Sequence, residues 1–154
     1  MMMVYTVYMR WVMIYTDMTK KAMRISYEAH HGTYDKGGVP YVFHPIHVAE
    51  MMQDEYSTTV ALLHDVVEDT DYTLDKLIED GFPDEIVEAV DAITRRSGED
   101  YFVYIDRVKA NALATTVKIA DLEHNTDDSR LAILSDANIK KQRYEKAKRV
   151  LKND

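Results

Sequence analysis

Residues 57–69 read STTVALLHDVVED, an apolar run that ends in a histidine and three carboxylates. The stem from Val60 to Leu63 has the composition of a buried helix, because it is apolar and lacks glycine and proline. Charges directly after such a stem are costly unless they are paired or bind a metal ion. The stretch therefore predicts a core helix that leads into a polar centre.

Helical spacing divides this polar end into two neighbouring stripes. Residues four apart lie on one helix face, so His64 aligns with Glu68 and Asp65 aligns with Asp69. A lone histidine beside apolar residues is more often a packed core residue than a ligand. Three adjacent carboxylates weaken that interpretation, since like charges repel each other without a cation.

The rest of the chain also has a helical period. Residues 33–43, TYDKGGVPYVF, contain two glycines and a proline and are expected to form a loop. The expected caps are His44, Ser57, Thr73 and Ser135. Helices are predicted at residues 19–32, 44–56, 57–69, 73–81, 83–96, 99–111, 112–126 and 135–153. The fold class is therefore all-α, a compact bundle of about eight short helices.

Residues 1–17, MMMVYTVYMRWVMIYTD, differ from the remainder. They are apolar, but Arg10 interrupts them and they fall short of the roughly twenty residues that span a bilayer. They lack the basic start and small-residue cleavage site of a signal peptide. Their β-branched and aromatic residues suit a short strand or a packed arm. We expect an N-terminal extension over residues 1–17 and a single domain over residues 18–154.

Composition excludes several classes of function. The chain has 154 residues, no cysteine and a formal net charge of −8. Without cysteine it forms no disulfide or thiolate site, which is typical of a reducing cytoplasm. The acidic balance argues against a nucleic-acid partner, and no membrane segment is expected. A basic group at Lys20, Lys21 and Arg24 leaves a small anionic substrate open, and a homo-oligomer is left open as well.

Two further motifs supply candidate ligands. In FHPIH, His44 projects from a helix start, while His47 suits packing or support of the ligands. In VKIADLEHN, Asp121 interrupts an apolar helix and Asn125 lies one turn later on the same face. A salt bridge to Lys118, three residues before Asp121, is the alternative interpretation.

These motifs together predict a metal centre. The four candidate ligands offer two nitrogens and two oxygens, a set that suits Mn²⁺, Fe²⁺ or Zn²⁺ with positions left for water or substrate. The ligands are His44, His64, Asp65 and Asp121. Such an ion lowers the pKa of a coordinated water, and Glu68 and Asp69 are placed to orient that water or move its proton.

The sequence resembles the HD-domain metal-dependent phosphohydrolases. It is most similar to the hydrolase domain of the Rel/Spo family and to the small alarmone hydrolases. The resemblance runs in order through AHHGTYDKGGVPYVFHPIHVAE, ALLHDVVEDT and VKIADLEHN. It implies an Mn²⁺-dependent enzyme that removes the 3′-pyrophosphate of guanosine tetra- or pentaphosphate. Synthetase activity is not expected, because the chain ends at Asp154.

The resemblance also implies roles for individual residues. The four candidate ligands hold the metal, and Glu68 and Asp69 act on the nucleophilic water. Asn125 helps to bind the substrate, and His30 supports the metal shell.

Two positions depart from the family pattern. The family carries Arg-Lys where this chain has Asp35 and Lys36, and ADRLHN is replaced by ADLEHN. Both Asp35 and Lys36 remain candidate substrate contacts, as do Tyr144 and Lys148 on the last helix. The departures favour one alternative, a phosphohydrolase for another nucleotide, such as a nucleoside monophosphate or an NADPH-like molecule. A non-catalytic nucleotide-binding module is a further alternative, against which the intact Glu68 and Asp69 argue.

Further candidates for phosphate contacts are weaker. They are Tyr101, Tyr104, Arg107 and Lys109, for which core packing or a solvated face is the usual explanation.

Overall fold

A computed structural model describes residues 12–131 and 135–153. Within these ranges there are helices, an isolated bridge between Tyr34 and Pro40, and no strand. The helices are α1 (Asp17–Ala29), α2 (Phe43–Glu50), α3 (Glu55–Leu63), α4 (Val66–Asp69), α5 (Leu74–Glu79), α6 (Asp84–Ile93), α7 (Tyr101–Lys109), α8 (Ala112–Asn125), α9 (Asp128–Leu131) and α10 (Ala137–Lys152). The all-α prediction is confirmed, and α4 and α9 are single turns beside the eight longer helices.

The N-terminal prediction is tested only in part. Residues 12–16 form neither helix nor strand, and Thr16 caps α1 by accepting the Thr19 N–H at 3.2 Å. The strand or arm predicted for the earlier residues lies outside the described part of the chain. The boundary between an extension over residues 1–17 and a domain over 18–154 stays a prediction.

Helix α3 is the centre of the fold. Every residue from Ser57 to Leu63 is buried, and α3 packs against α1, α2, α6 and α8. A helix that is buried on all sides must satisfy its polar side chains internally. The hydroxyls of Thr58 and Thr59 do so by donating to the carbonyls of Asp54 and Glu55 at 2.7 and 2.8 Å.

The predicted helix over residues 57–69 is interrupted. It ends at Leu63, turns through His64 and Asp65, and resumes as α4 at Val66. The His64 ring explains the break in part, because its Nδ1 donates to the Ala61 carbonyl at 2.6 Å. A continuous helix would use that carbonyl for the Asp65 N–H. Asp65 and Asp69 nevertheless remain one helical turn apart, as predicted, because the Asp69 N–H donates to the Asp65 carbonyl at 3.0 Å.

Three of the four predicted caps are also wrong. Thr73 is confirmed, since it accepts the Lys76 N–H at 3.2 Å. Helix α3 is capped by Asp54 and not by Ser57. The Asp54 carboxylate lies directly before the helix and accepts the free Ser57 N–H at 2.8 Å. Helix α10 is preceded by Asp136 rather than capped by Ser135, and α2 already begins one residue before His44.

The predicted loop before α2 is compact. The Asp35 carboxylate accepts the N–H groups of Gly37 and Val39 at 2.8 and 3.0 Å. Gly38 has a φ of 82°, which favours glycine. The loop places Tyr41 just before α2, near the centre of the fold. Across the described ranges, the helices are too short or too polar to cross a membrane.

Candidate metal centre

Four side chains from three parts of the fold converge at one point. His44 comes from α2, His64 and Asp65 come from the turn after α3, and Asp121 comes from α8. The Asp121 Oδ1 lies 3.0 Å from His44 Nε2 and 3.5 Å from His64 Nε2. The two histidines and Asp121 are at most 3% exposed, and their ligand atoms lie within 4.8 Å of one another. These three residues could hold one metal ion.

Asp65 completes the predicted set of four. Its Oδ2 lies 3.0 Å from His64 Nε2 and 3.6 Å from His44 Nε2. The Tyr41 hydroxyl donates to the same oxygen at 2.6 Å. Burial raises the pKa of Tyr41 and the Asp65 charge raises it further, so this hydroxyl stays a donor. Tyr41 was not singled out from the sequence, although it lies within the YVFHP segment of the resemblance.

The hydrogen bonding of His64 leaves one ring nitrogen for a ligand. Its Nδ1 donates to the Ala61 carbonyl, so neutral His64 carries a lone pair on Nε2. That buried Nε2 has no hydrogen-bond partner in the described structure and faces the oxygens of Asp65 and Asp121. Burial alone would lower the pKa of His64, but these two carboxylates raise it. The surroundings therefore favour a cation at Nε2.

His44 is oriented in the same way by a second histidine. Its Nδ1 lies 2.7 Å from the Nδ1 of His124, so one of the two nitrogens must carry the proton. Burial and nearby positive charge lower the pKa of His124 to about 3, which keeps that ring neutral. With the proton on His44 Nδ1, the His44 Nε2 lone pair points to Asp121. A ligand histidine commonly donates its other N–H to such a partner.

Asp121 both faces the other candidate ligands and forms the salt bridge to Lys118 that was the alternative interpretation of the sequence. Its Oδ2 accepts from the Lys118 ammonium at 2.7 Å, and its Oδ1 accepts from the Asn125 amide at 2.8 Å while facing His44. Burial disfavours the charged forms, but each charge stabilises the other, lowering the pKa of Asp121 and raising that of Lys118. With Asp65 also ionised, the two carboxylates and one ammonium sum to −1. A divalent cation is the natural counter-charge.

Glu68 and Asp69 occupy the single turn α4 beside this centre. The Glu68 Oε1 accepts the Arg95 N–H at 2.5 Å, and partial burial raises the pKa of Glu68. Partial enclosure, with the charges of Asp65 and Glu68, raises the pKa of Asp69 to about 6. Asp69 can therefore exchange a proton near neutral pH.

Two clefts open beside the metal centre, and Tyr41 lines both. The first has a volume of about 940 Å³ and contains Asp69 and His30. The His30 Nε2 is buried there without a hydrogen-bond partner in the described ranges. The second has a volume of about 920 Å³ and is lined by four of the five predicted substrate contacts. These four are Asp35, Lys36, Asn125 and Tyr144.

Other predicted residues have different environments. Lys148 does not line either cleft, since its ammonium pairs with Glu145 at 2.9 Å and lies 3.4 Å from the Thr126 hydroxyl. The His47 ring stacks on His124 with centroids 4.2 Å apart, in agreement with a packing role. His124 had no assigned role from the sequence, and no spacing rule would have placed it against a residue 80 positions earlier.

A family model described as an HD domain matches residues 22–138. The chain belongs to the HD-domain family. Membership implies divalent-metal binding, and the histidine and aspartate cluster of this HD domain is suited to it.

Curated relatives extend this result. The chain is 34% identical over 71% of its length to a GTP pyrophosphokinase of Myxococcus xanthus. It is 32% identical over 66% of its length to a guanosine-3′,5′-bis(diphosphate) 3′-pyrophosphohydrolase of Haemophilus influenzae. Each alignment covers only 17% of the relative, so the chain spans less than a fifth of these proteins.

A solved structure has the same fold. It is described as a metazoan ortholog of SpoT that hydrolyzes ppGpp, and the superposition has a TM-score of 0.73. The match covers 92% of this chain and 89% of that one, at 22% sequence identity. The HD-domain fold predicted from the sequence is confirmed.

Proposed function

We propose that this HD domain is a metal-dependent hydrolase that removes the 3′-pyrophosphate from guanosine tetra- or pentaphosphate. The observation that carries the proposal is the convergence of the Nε2 atoms of His44 and His64 on Asp121 Oδ1, directly beside Glu68 and Asp69. The pyrophosphohydrolase names of curated relatives support the substrate. The relatives named as pyrophosphokinases are far longer than this chain, and synthesis is not part of the proposal.

We propose Mn²⁺ as the ion, with Fe²⁺ and Zn²⁺ as the alternatives. Two imidazole nitrogens and two carboxylate oxygens form a borderline donor set that suits these ions. The four ligands are His44, His64, Asp65 and Asp121. When bound, such an ion supplies Lewis-acid polarisation of a phosphoryl oxygen and increases the acidity of a nearby water.

The protein side chains contribute orientation and proton transfer. Tyr41 fixes Asp65, and Lys118 with Asn125 fixes Asp121, so the ligand oxygens are held in place before substrate arrives. Glu68, held by the Arg95 N–H, orients the water that attacks phosphorus. Asp69, with a pKa of about 6, accepts and returns a proton at its carboxylate.

The second cleft is proposed to hold the nucleoside part of the substrate, with Lys36, Asn125 and Tyr144 as contacts. The negative charge of Asp35 is less unfavourable for nucleotide binding in this cleft than that of an unpaired carboxylate. Its carboxylate is bound by loop N–H groups and lies 3.4 Å from the Arg130 guanidinium. The departure at this position still favours one second candidate, a phosphohydrolase for another nucleotide. We further propose that the protein acts in the cytoplasm.

A substrate panel with added Mn²⁺ tests the proposal. The panel compares guanosine tetraphosphate with a nucleoside monophosphate and NADPH, using the wild type, Asp65→Ala and Glu68→Gln. Glu68→Gln keeps an oxygen for the Arg95 N–H and should reduce turnover by roughly 100-fold or more. Exposed Glu88→Gln on α6 is the matched control and should leave turnover unchanged.

The outcomes separate the candidates. Turnover of guanosine tetraphosphate that both site variants lose supports the proposal. Turnover of another nucleotide alone supports the second candidate. A wild type that binds nucleotides tightly and hydrolyses none would instead be a nucleotide-binding module.

A further inference from the structure

A cationic cluster lies where α10 packs on the start of α7. Tyr101 is the first residue of α7, and its ring centroid is 5.4 Å from the Arg95 guanidinium and 4.7 Å from the Arg143 guanidinium. Both distances fall within the roughly 6 Å reach of a cation–π contact. We call these three residues the Arg95–Tyr101–Arg143 cluster.

Two polar atoms of this cluster are buried and unsatisfied. Neither the Tyr101 hydroxyl oxygen nor Arg143 Nε has a hydrogen-bond partner within the described residues. Burial raises the pKa of Tyr101 against the opposing charges of Lys118 and Arg143, so the hydroxyl stays protonated and able to donate. Buried donors without acceptors are rare in folded proteins and require a specific explanation.

Among the described residues, the two arginines also lack carboxylate counter-charges. In the described structure no carboxylate lies within ion-pair distance of either guanidinium; Arg95 instead donates Nε and Nη2 to the carbonyl oxygen of Glu99 at 3.2 and 2.7 Å. Arg107 and Arg130, in contrast, pair with carboxylates at 2.8 and 3.4 Å. Two adjacent arginines with no carboxylate partner in the described part of the chain are unexpected in a protein of net charge −8.

The cluster connects the two parts of the proposed site. The Arg95 backbone N–H donates to Glu68 Oε1 at 2.5 Å, which places one end beside the metal centre. At the other end, the Arg143 guanidinium lies 5.4 Å from the ring centroid of Tyr144, which lines the second cleft.

We propose that the Arg95–Tyr101–Arg143 cluster binds a phosphoanion, the pyrophosphate group of the nucleotide. Guanidinium groups match phosphate oxygens in charge and geometry, and the Tyr101 hydroxyl adds a neutral donor. A phosphoanion would satisfy both orphaned donors and the missing negative charge at once. Its identity as the substrate's pyrophosphate rests on the proposed function, whereas the site itself rests only on the cluster. The same chemistry would bind free inorganic pyrophosphate after the reaction.

Calorimetric titration of inorganic pyrophosphate into the full chain tests this site, once as purified and once with excess EDTA to separate binding through a metal. Arg143→Met should weaken binding by roughly 10- to 100-fold, as expected for charged hydrogen bonds. Tyr101→Phe keeps the ring and should weaken it by roughly 3- to 10-fold. The matched control is Lys146→Met on α10, whose ammonium lies 4.3 Å from the Phe102 ring centroid, and it should stay within about twofold.

Equal weakening in Arg143→Met and Lys146→Met, or unchanged affinity in both cluster variants, would overturn the site. If both cluster variants hydrolyse guanosine tetraphosphate with wild-type KM and kcat, the substrate's pyrophosphate is not the ligand of the cluster. The proposed function is unaffected by that result. Conversely, pyrophosphate binding could be lost in Arg143→Met while the wild type hydrolyses no guanosine tetraphosphate. That result would support the phosphoanion site and contradict the proposed function.

Discussion

Two ionic clusters of this HD domain differ in how completely their hydrogen-bonding groups are paired. At the metal centre, lone pairs of His44, His64 and the two aspartates converge, and His64 Nε2 lacks a partner in the described structure. Around Arg107, every donor has an acceptor. Its five N–H groups meet both carboxylate oxygens of Glu99 and the carbonyls of Asp91, Ala92 and Thr94, at 2.8 to 3.0 Å.

The difference separates a ligand site from a structural one. The Arg107 guanidinium occupies the C-terminal end of α6, where free carbonyls and the helix dipole both favour a cation. Because all its donors are used, Arg107 is not available for a phosphate, and its interpretation as a weak phosphate candidate is wrong. The metal centre keeps an excess of acceptors, which only a cation can satisfy. We expect mutations at the first cluster to affect activity and those at the second to affect stability.

His64→Ala should give the largest effect. Loss of one of the four proposed ligands should remove metal binding, and we expect turnover to fall by roughly 1,000-fold or more. Metal analysis and turnover measurements check this. His31→Ala is the control, because His31 is exposed and its ring lies 5.5 Å from that of Tyr27, away from the ligands. An unchanged metal content in His64→Ala would contradict the assignment.

Arg107→Met should have the second largest effect, on stability instead of activity. It removes three hydrogen bonds, one each to the carbonyls of Asp91, Ala92 and Thr94, at about 1 kcal/mol each, so a loss of roughly 3 kcal/mol is expected in urea unfolding. Metal content at low temperature should match the wild type. A variant that unfolds at the wild-type urea midpoint, or loses its metal while folded, would remove the distinction between the two clusters.

Metal removal should destabilise the wild type slightly less than the Arg107→Met substitution does. An ion present at about 100 times its Kd stabilises the folded state by roughly 2.7 kcal/mol, or about 5–10 °C in Tm for a domain of this size. Thermal unfolding with Mn²⁺ and with EDTA measures the shift. In His64→Ala the two curves should coincide, whereas in Arg107→Met the shift should be retained.

The sequence was sufficient for the fold class and for the four side chains that converge at the candidate metal centre, and insufficient for the local geometry. His44, His64, Asp65 and Asp121 are recognisable because polar residues within apolar helical stretches are costly without a partner. The break at His64 was missed because it depends on a side chain competing for a backbone carbonyl, which hydrophobic periodicity does not report.

Contacts between distant segments were equally inaccessible from the sequence. The pairing of His44 with His124 joins residues 80 positions apart, and the Arg95–Tyr101–Arg143 cluster needs α10 to pack on α7. Only the tertiary fold creates these contacts.

His124→Phe should have a moderate effect. Phenylalanine keeps the stacking on His44 and His47 but removes the Nδ1 that orients His44, so metal affinity should fall by roughly 10- to 100-fold. Competition with a chelator measures it. His47→Phe is the matched control, because His47 stacks on the same ring without a hydrogen bond to a ligand, and its affinity should not change. Equal losses in both variants would indicate a packing effect alone.

Glu99→Gln should give the smallest effect, visible as a change with pH. Hydrogen bonds from Arg107 and from the Arg96 N–H lower the pKa of Glu99 from 4.5 to about 2 in the folded state. A folded pKa below the unfolded value stabilises the protein above pH 4.5, and this contribution disappears as pH falls toward 2. The wild type should therefore exceed Glu99→Gln in urea midpoint at pH 7, with the gap closing between pH 4.5 and 2. Glu88→Gln, at an exposed position of α6, should show no such closing gap. A gap that stays constant with pH would mean that Arg107 is held by the α6 carbonyls alone, with the Glu99 charge contributing nothing.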